Sequence, residues 1–196
     1  MIVGIRHARV ENPENVVYAR LQGFHLSERG RDEAAGLGRE LSSAPVTAVY
    51  SSPLERAAET AAALARPHGV EVVMDDRLLE WSFWVRWQGL PWSRIRERDP
   101  DLLEAYANDP SAAATGQPLE EAGRDVLAWA GDAERRHPDG LVIGVSHEAP
   151  LAAALLIGRA GTLGGYHGLN LPHLGTVRLR PGPPEIVDLV AWVRSC

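Results

Sequence analysis

Three apolar runs in this chain end in residues that can handle an anion. "IVGIRHA" (2–8) delivers Arg6 and His7, "VTAVYSSP" (46–53) leads into Arg56, and "LVIGVSH" (141–147) delivers Ser146 and His147. A planar guanidinium binds two phosphate oxygens at once. A neutral imidazole attacks phosphorus as a nucleophile, and a second, protonated imidazole donates to charge developing on the equatorial oxygens. Such a set suits phosphoryl chemistry with no metal and no other cofactor. Taken singly, each residue has a plainer reading. A strand-end histidine is commonly a polar boundary residue, and Arg56 alone reads as a solvated helix face. Only convergence of all of them at one place makes an anion site.

Convergence needs elements that bring the three ends together. Residues 1–6, 46–51 and 141–147 read as strands, and 68–73 as a short edge strand. Helices are expected over 27–41, with Ser27 as N-cap, and over 52–66. At the latter, Ser52, Pro53 and Glu55 read as cap, first helical position and capping-box partner. Further helices are expected over 92–107, 118–136 and about 149–157. "GTVRLR" (175–180) and "EIVDLVAW" (185–192) read as two antiparallel strands around a Pro/Gly turn. This alternation predicts an α/β fold, a three-layer α/β/α sandwich on a mostly parallel, doubly wound sheet. In such sheets ligands collect at the carboxyl ends of strands, where helix N-termini favour an anion.

Bulk properties narrow the alternatives. A chain of 196 residues, 45% hydrophobic and 23% charged, suits one domain over 1–196 with a full core. The net charge of −6 argues against nucleic acid as a partner, but a local arginine cluster can still draw in a small anion. No apolar stretch approaches a membrane span, and Arg6 interrupts the N-terminal run before it reaches signal-peptide length. A cytoplasmic location without membrane attachment is the expectation. The one cysteine, Cys196, rules out a disulfide within the chain. A homodimer is compatible with the sequence.

The blocks themselves resemble the histidine phosphatase superfamily, in its phosphoglycerate mutase-like branch. Arg6-His7-Ala8 resembles its opening Arg-His-Gly. "YSSPLERAAETA" (50–61) fits its second block at every fixed position. "LLEWSFWVRWQGL" (78–90) resembles its Leu-x-Glu block, and "VIGVSHEAPL" (142–151) its strand ending in Ser-His. "RLQGFHLSERGRDEA" (20–34) resembles the segment before its first long helix. The resemblance implies a phosphoglycerate mutase-like fold and a phosphohistidine on His7. It also implies a phosphate pocket of Arg6, Arg56 and His147, with Glu80 as proton donor and later base. Three aromatic neighbours, Trp81, Phe83 and Trp84, are expected to raise the Glu80 pKa by desolvation.

Departures from the pattern gather on the substrate side. Ala8 stands where Gly is commoner, and a Cβ there costs energy if φ is positive. Arg9, Val10 and Pro13 replace the usual polar run, so Asn12 or Asn15 becomes the candidate amide and Arg9 a candidate added cation. Glu148 follows His147 where Gly is common, placed to repel an anionic substrate or to turn away and start the helix. Four of the six tryptophans, Trp81, Trp84, Trp87 and Trp92, crowd one stretch. They read as a lid near 80–117 packed on the surface, or as a wall for an aromatic or apolar leaving group, with Gln22 and Gly23 at the same mouth. The expected function is metal-independent hydrolysis of a small phosphomonoester. The alternatives are a phosphoglycerate-type mutase, or a phospholigand-binding protein that has lost catalysis.

Overall fold

A computed structural model describes residues 1–111 and 116–195. Residues 112–115 of the expected lid, and Cys196, lie outside the described residues. Six strands form one sheet: β1 (Ile2–Arg6), β2 (Val46–Ser51), β3 (Val72–Met74), β4 (Leu141–Ser146), β5 (Thr176–Arg180) and β6 (Glu185–Val187). Their order is β3-β2-β4-β1-β5-β6. The first four are mutually parallel, while β5 runs antiparallel to both β1 and β6. β1 and β4 are buried almost throughout, as near-continuous Val/Ile/Leu runs require when both faces are covered.

Alternate strand residues feed two cores. Val3, Ile5, Ile143 and Val145 pack with α1 (Glu28–Glu40) and α2 (Glu55–Ala65) on one face. Ile2, Tyr50 and Val142 pack with α5 (Leu119–Arg136) and α6 (Glu148–Ala160) on the other. The expected three-layer α/β/α architecture is therefore present. α5 and α6 approach closely because Gly123 has no side chain; a Cβ there would meet Ala153 at 2.8 Å. Two shorter helices, α3 (Trp92–Arg98) and α4 (Pro100–Asn108), carry part of a third, aromatic cluster over the carboxyl end of the sheet. None of the described helices is long and apolar enough to cross a membrane.

Ser27 caps α1 as expected, its hydroxyl accepting from the Gly30 N–H at 3.0 Å. Other expectations need correction. α2 begins at Glu55, with Leu54 as N-cap and no side-chain cap. Ser52 is buried and engages a histidine instead, and Glu55 accepts from the Gly23 N–H at 3.0 Å. The helix expected over 92–107 is two, because Pro100 starts a new one and pushes Asp99 out of helical geometry. The edge strand occupies 72–74, since Arg66–His68 form a 3₁₀ turn closed by a left-handed Gly69. α6 starts at Glu148, two residues before Pro150. The last strand stops at Val187, where Asp188 accepts from the Ala191 N–H at 2.9 Å and opens α7 (Leu189–Ser195).

Candidate active site

β1 and β4 lie side by side at the centre of the sheet, with Arg6 in register with Ser146. Their crossovers leave in opposite directions on opposite faces, the arrangement that opens a crevice at the strand ends. The ladder runs one residue further, the His7 N–H donating to Ser146 at 3.0 Å. His7 and His147 therefore stand with ring centroids 5.2 Å apart. α2 inserts Arg56 between them, fully buried. Its Nε donates to His7 Nε2 at 3.3 Å, and its Nη2 lies 3.3 Å from His147 Nδ1. Nη2 also donates to the Ala19 carbonyl at 2.6 Å. Ala19 has φ 33, a strained conformation for a residue with a Cβ, and the strain is spent on aiming that carbonyl at Arg56.

These contacts set the tautomers. His7 Nδ1 sits 2.8 Å from the Ala8 carbonyl, which only accepts. Nδ1 thus carries the proton and Nε2 keeps a lone pair. His147 Nδ1 faces a guanidinium, which only donates, so its proton is on Nε2, 2.9 Å from Ser52 Oγ. Burial holds both imidazole pKa values well below 6.5, with the Arg56 charge adding to the effect. Both are neutral at neutral pH. Burial works the other way on Glu80, raising its carboxyl above 4.5 against the opposing pull of Arg56 and the Trp81 N–H. Its Oε1 accepts from that N–H at 2.8 Å, and Oε2 lies 3.9 Å from His147 Nδ1.

Two guanidinium nitrogens here are buried without any hydrogen-bond partner: Arg6 Nε and Arg56 Nη1. An unsatisfied charged donor costs upwards of about 1–3 kcal/mol, so two at one place point to an anion as the missing partner. Arg6 is otherwise occupied, its Nη1 donating to the Leu171 carbonyl at 2.6 Å and pairing with Glu148 at 2.7 Å.

Above this floor lies a cleft of about 280 Å³ lined by Arg6, His7, Glu80 and Glu148 below and by Tyr18, Trp84, Trp92, Tyr106, Tyr166 and His167 around the mouth. Trp84 anchors the wall, with ring centroids 5.1 Å from Trp92 and 5.2 Å from Tyr106. Trp81 and Trp87 are fully buried behind it. Of the four clustered tryptophans, two rings pack as core and two line the cleft.

Arg6, His7, Arg56, Glu80 and His147 come together, and Trp84 overlooks them. Gln22 and Gly23 are exposed and do not line the cleft. Asn12 also lies outside the lining and staples its own loop, donating to the Val16 carbonyl and accepting from the Val16 N–H. Arg9 pairs with Glu33 away from the site. Ala8 has no positive φ; its methyl is buried with Leu26 and Ala34, and its N–H donates to Thr60 Oγ1 at 3.1 Å. Glu148 both begins α6 and lines the cleft. Sequence reasoning missed His173, whose Nδ1 donates to the His7 carbonyl at 3.1 Å. The signal was available: β5 is antiparallel, so the residues just before it lie at the same edge as the ends of β1 and β4. Tyr18, Tyr106, Tyr166 and His167 were missed too, and no spacing marks them. Among the described residues no group of three or more His, Cys, Asp or Glu is placed to hold a metal ion.

Known proteins resemble this chain in sequence and in fold. Phosphoserine phosphatase 1 of Hydrogenobacter thermophilus is 31% identical over 158 residues, covering 78% of this chain and 72% of that protein. A glucosyl-3-phosphoglycerate phosphatase of Mycobacterium tuberculosis is 32% identical over 173 residues, covering 79% and 74%. The solved structure of a mycobacterial glucosyl-3-phosphoglycerate phosphatase superposes with a TM-score of 0.78 at 24% identity, over 90% of this chain and 87% of that one. The model of the histidine phosphatase superfamily (branch 1) matches residues 2–189, and the chain belongs to that family.

Proposed function

We propose that this chain is a metal-independent phosphatase that hydrolyses a small phosphomonoester through a phosphohistidine on His7. The observation that carries the reading is the pair of buried, unpartnered donors, Arg6 Nε and Arg56 Nη1, beside a neutral imidazole whose unprotonated Nε2 is held only by a long contact from Arg56 Nε. The relatives named as phosphatases support the reaction class. The phosphoryl oxygens take the two guanidinium donors and replace the long Arg56–His7 contact. His7 Nε2 then attacks phosphorus in line, and the bond from phosphorus to the ester oxygen breaks. The Ala8 carbonyl holds the Nδ1 proton and stabilises the cationic ring that forms. Glu80, whose burial favours its protonated form, gives its proton to the departing oxygen. In the second step Glu80 takes a proton from water. The hydroxide attacks phosphorus, the P–N bond breaks, and inorganic phosphate leaves. Fixed cations meet the transition-state charge throughout, and His147, taking a proton from solvent as the dianion arrives, adds a further donor.

The test is phosphate release from a phosphomonoester panel in the presence of chelator, for wild type and His7→Ala, with rapid quench of a labelled substrate. Release that survives chelator, needs His7 and passes through an acid-labile, alkali-stable phosphoenzyme is expected. Tight phosphate binding without turnover would instead identify a binding protein. Transfer to a second hydroxyl in place of water would identify a mutase.

A further inference from the structure

The lining of the cleft carries two acidic side chains and one guanidinium, and one nitrogen of that guanidinium already pairs with an acid. Among the described residues that line it, Arg6 is the only Arg or Lys, and its Nη1 is shared between the Leu171 carbonyl and Glu148, at 2.6 and 2.7 Å. Past the phosphate-facing floor, the lining is aromatic. His167 is held in that wall, its Nε2–H donating to the Tyr106 carbonyl at 2.8 Å and its ring 4.9 Å from that of Tyr106. The charge of Glu148 reaches the wall as well, since it contributes to the raised pKa values of Tyr18, Tyr106 and Tyr166. A second anionic group on the substrate would meet a carboxylate and ring faces, with no free cation. Like charges brought together in such a cleft repel. The volume of about 280 Å³ sits at the low end of ligand sites, which run roughly 300–1,000 Å³, so one or two rings fill it beyond the phosphoryl group.

Resting on the phosphatase reading above, we propose that the preferred substrate is a phosphomonoester with an uncharged aromatic leaving group, and that Glu148 is the residue that rejects leaving groups carrying a carboxylate. Specificity here combines an attractive wall with a repulsive charge. The carboxylate also ties Arg6 to the floor of the cleft, keeping that guanidinium from serving a second anion.

The test compares phenyl phosphate with 4-carboxyphenyl phosphate, for wild type, Glu148→Gln, Trp84→Ala and His7→Ala. The carboxylated phenol is the better leaving group, so chemistry alone favours that ester. Wild type is expected to prefer phenyl phosphate by about tenfold or more in kcat/KM. Glu148→Gln is expected to shrink that ratio several-fold through its effect on the carboxylated ester, a readout that a fold defect lowering both rates does not move. Trp84→Ala is expected to lower kcat/KM by about tenfold for phenyl phosphate and much less for methyl phosphate. His7-dependent turnover without preference for phenyl phosphate, or a ratio unmoved in Glu148→Gln, overturns this inference and leaves the phosphatase reading standing. No His7-dependent release from either ester overturns both.

Discussion

The floor and the wall of the cleft are built by different physics. His7, Arg56 and His147 on the floor are held by hydrogen bonds of fixed direction, at or just past strand ends and in the first turn of a helix. Trp84, Trp92, Tyr106 and Tyr166 on the wall come from separate segments and meet mostly through ring contacts, which tolerate small shifts. A floor placed by backbone geometry can hold reacting atoms to the tolerance that chemistry demands. A wall made of packed rings can change its shape without disturbing that floor. The difference separates reaction from selection, and variants on each side test it.

The largest effect is expected at Arg56. Among the described residues it pairs with no carboxylate, and its Nη1 is buried without a partner. Such a charge serves the ligand at the expense of the folded state. Arg56→Met is expected to lower kcat/KM by about 10⁴-fold, as loss of a transition-state arginine does in phosphoryl transfer, while the thermal midpoint holds or rises. A large drop in the midpoint alongside the lost activity would make Arg56 a structural residue. Behind the wall the expectation reverses. Trp87 is 1% exposed and packs on Phe83 and Trp84. Trp87→Ala is expected to cost about 3–5 kcal/mol in denaturant unfolding, with the pH profile of the remaining folded enzyme unchanged.

The same division explains what could be seen in the sequence. Strand ends and the helix after β2 are local features, so the apolar runs ending in Arg6-His7 and Ser146-His147 already located the floor. The buried faces of α1 and α5 follow from helical spacing alone. The wall was only half visible, because Tyr106 and Tyr166 join Trp84 through tertiary packing that no local pattern encodes. The misplaced boundaries have local causes of their own. Ser52-Pro53-x-Glu55 carries the chemistry of a capping box, but Ser52 is drawn to His147, and tertiary hydrogen bonding overrides the cap. "EIVDLVAW" alternates like a strand until Asp188, whose side chain accepts from an N–H three residues on and turns the chain into a helix. Asn12 has the right chemistry for a phosphate contact and the wrong neighbour, since its amide is spent on Val16.

Glu80 sits where floor and wall meet, 14% exposed and backed by Trp81. Glu80→Gln is expected to reduce kcat/KM, which reports formation of the phosphohistidine, by about 10²-fold on an alkyl phosphate. On 4-nitrophenyl phosphate, whose leaving group needs little protonation, the loss should be far smaller. In the wild type, activity should fall on the alkaline side as pH rises through the raised Glu80 pKa, and the variant should lack that limb. Equal losses on both esters would deny Glu80 the role of acid.

The smallest effect concerns stability and pH, and it reads the floor without substrate. Both buried imidazoles titrate well below 6.5 in the folded chain. Below that pH the unfolded chain binds protons that the folded chain refuses, so stability falls as pH drops. Between pH 7 and pH 5.5 the loss is expected to be about 1 kcal/mol for each histidine. Glu80 acts in the opposite sense. Its raised pKa gives stability that is full below 4.5 and lost as pH rises through the folded value. The net wild-type curve therefore mixes two signs, and a difference between variants separates them. Urea unfolding of His147→Asn across this range should show a slope shallower than wild type by about 1 kcal/mol, whatever its absolute stability. An unchanged slope would mean that His147 takes up its proton in the folded state, and that the floor holds a cation there before any phosphate arrives.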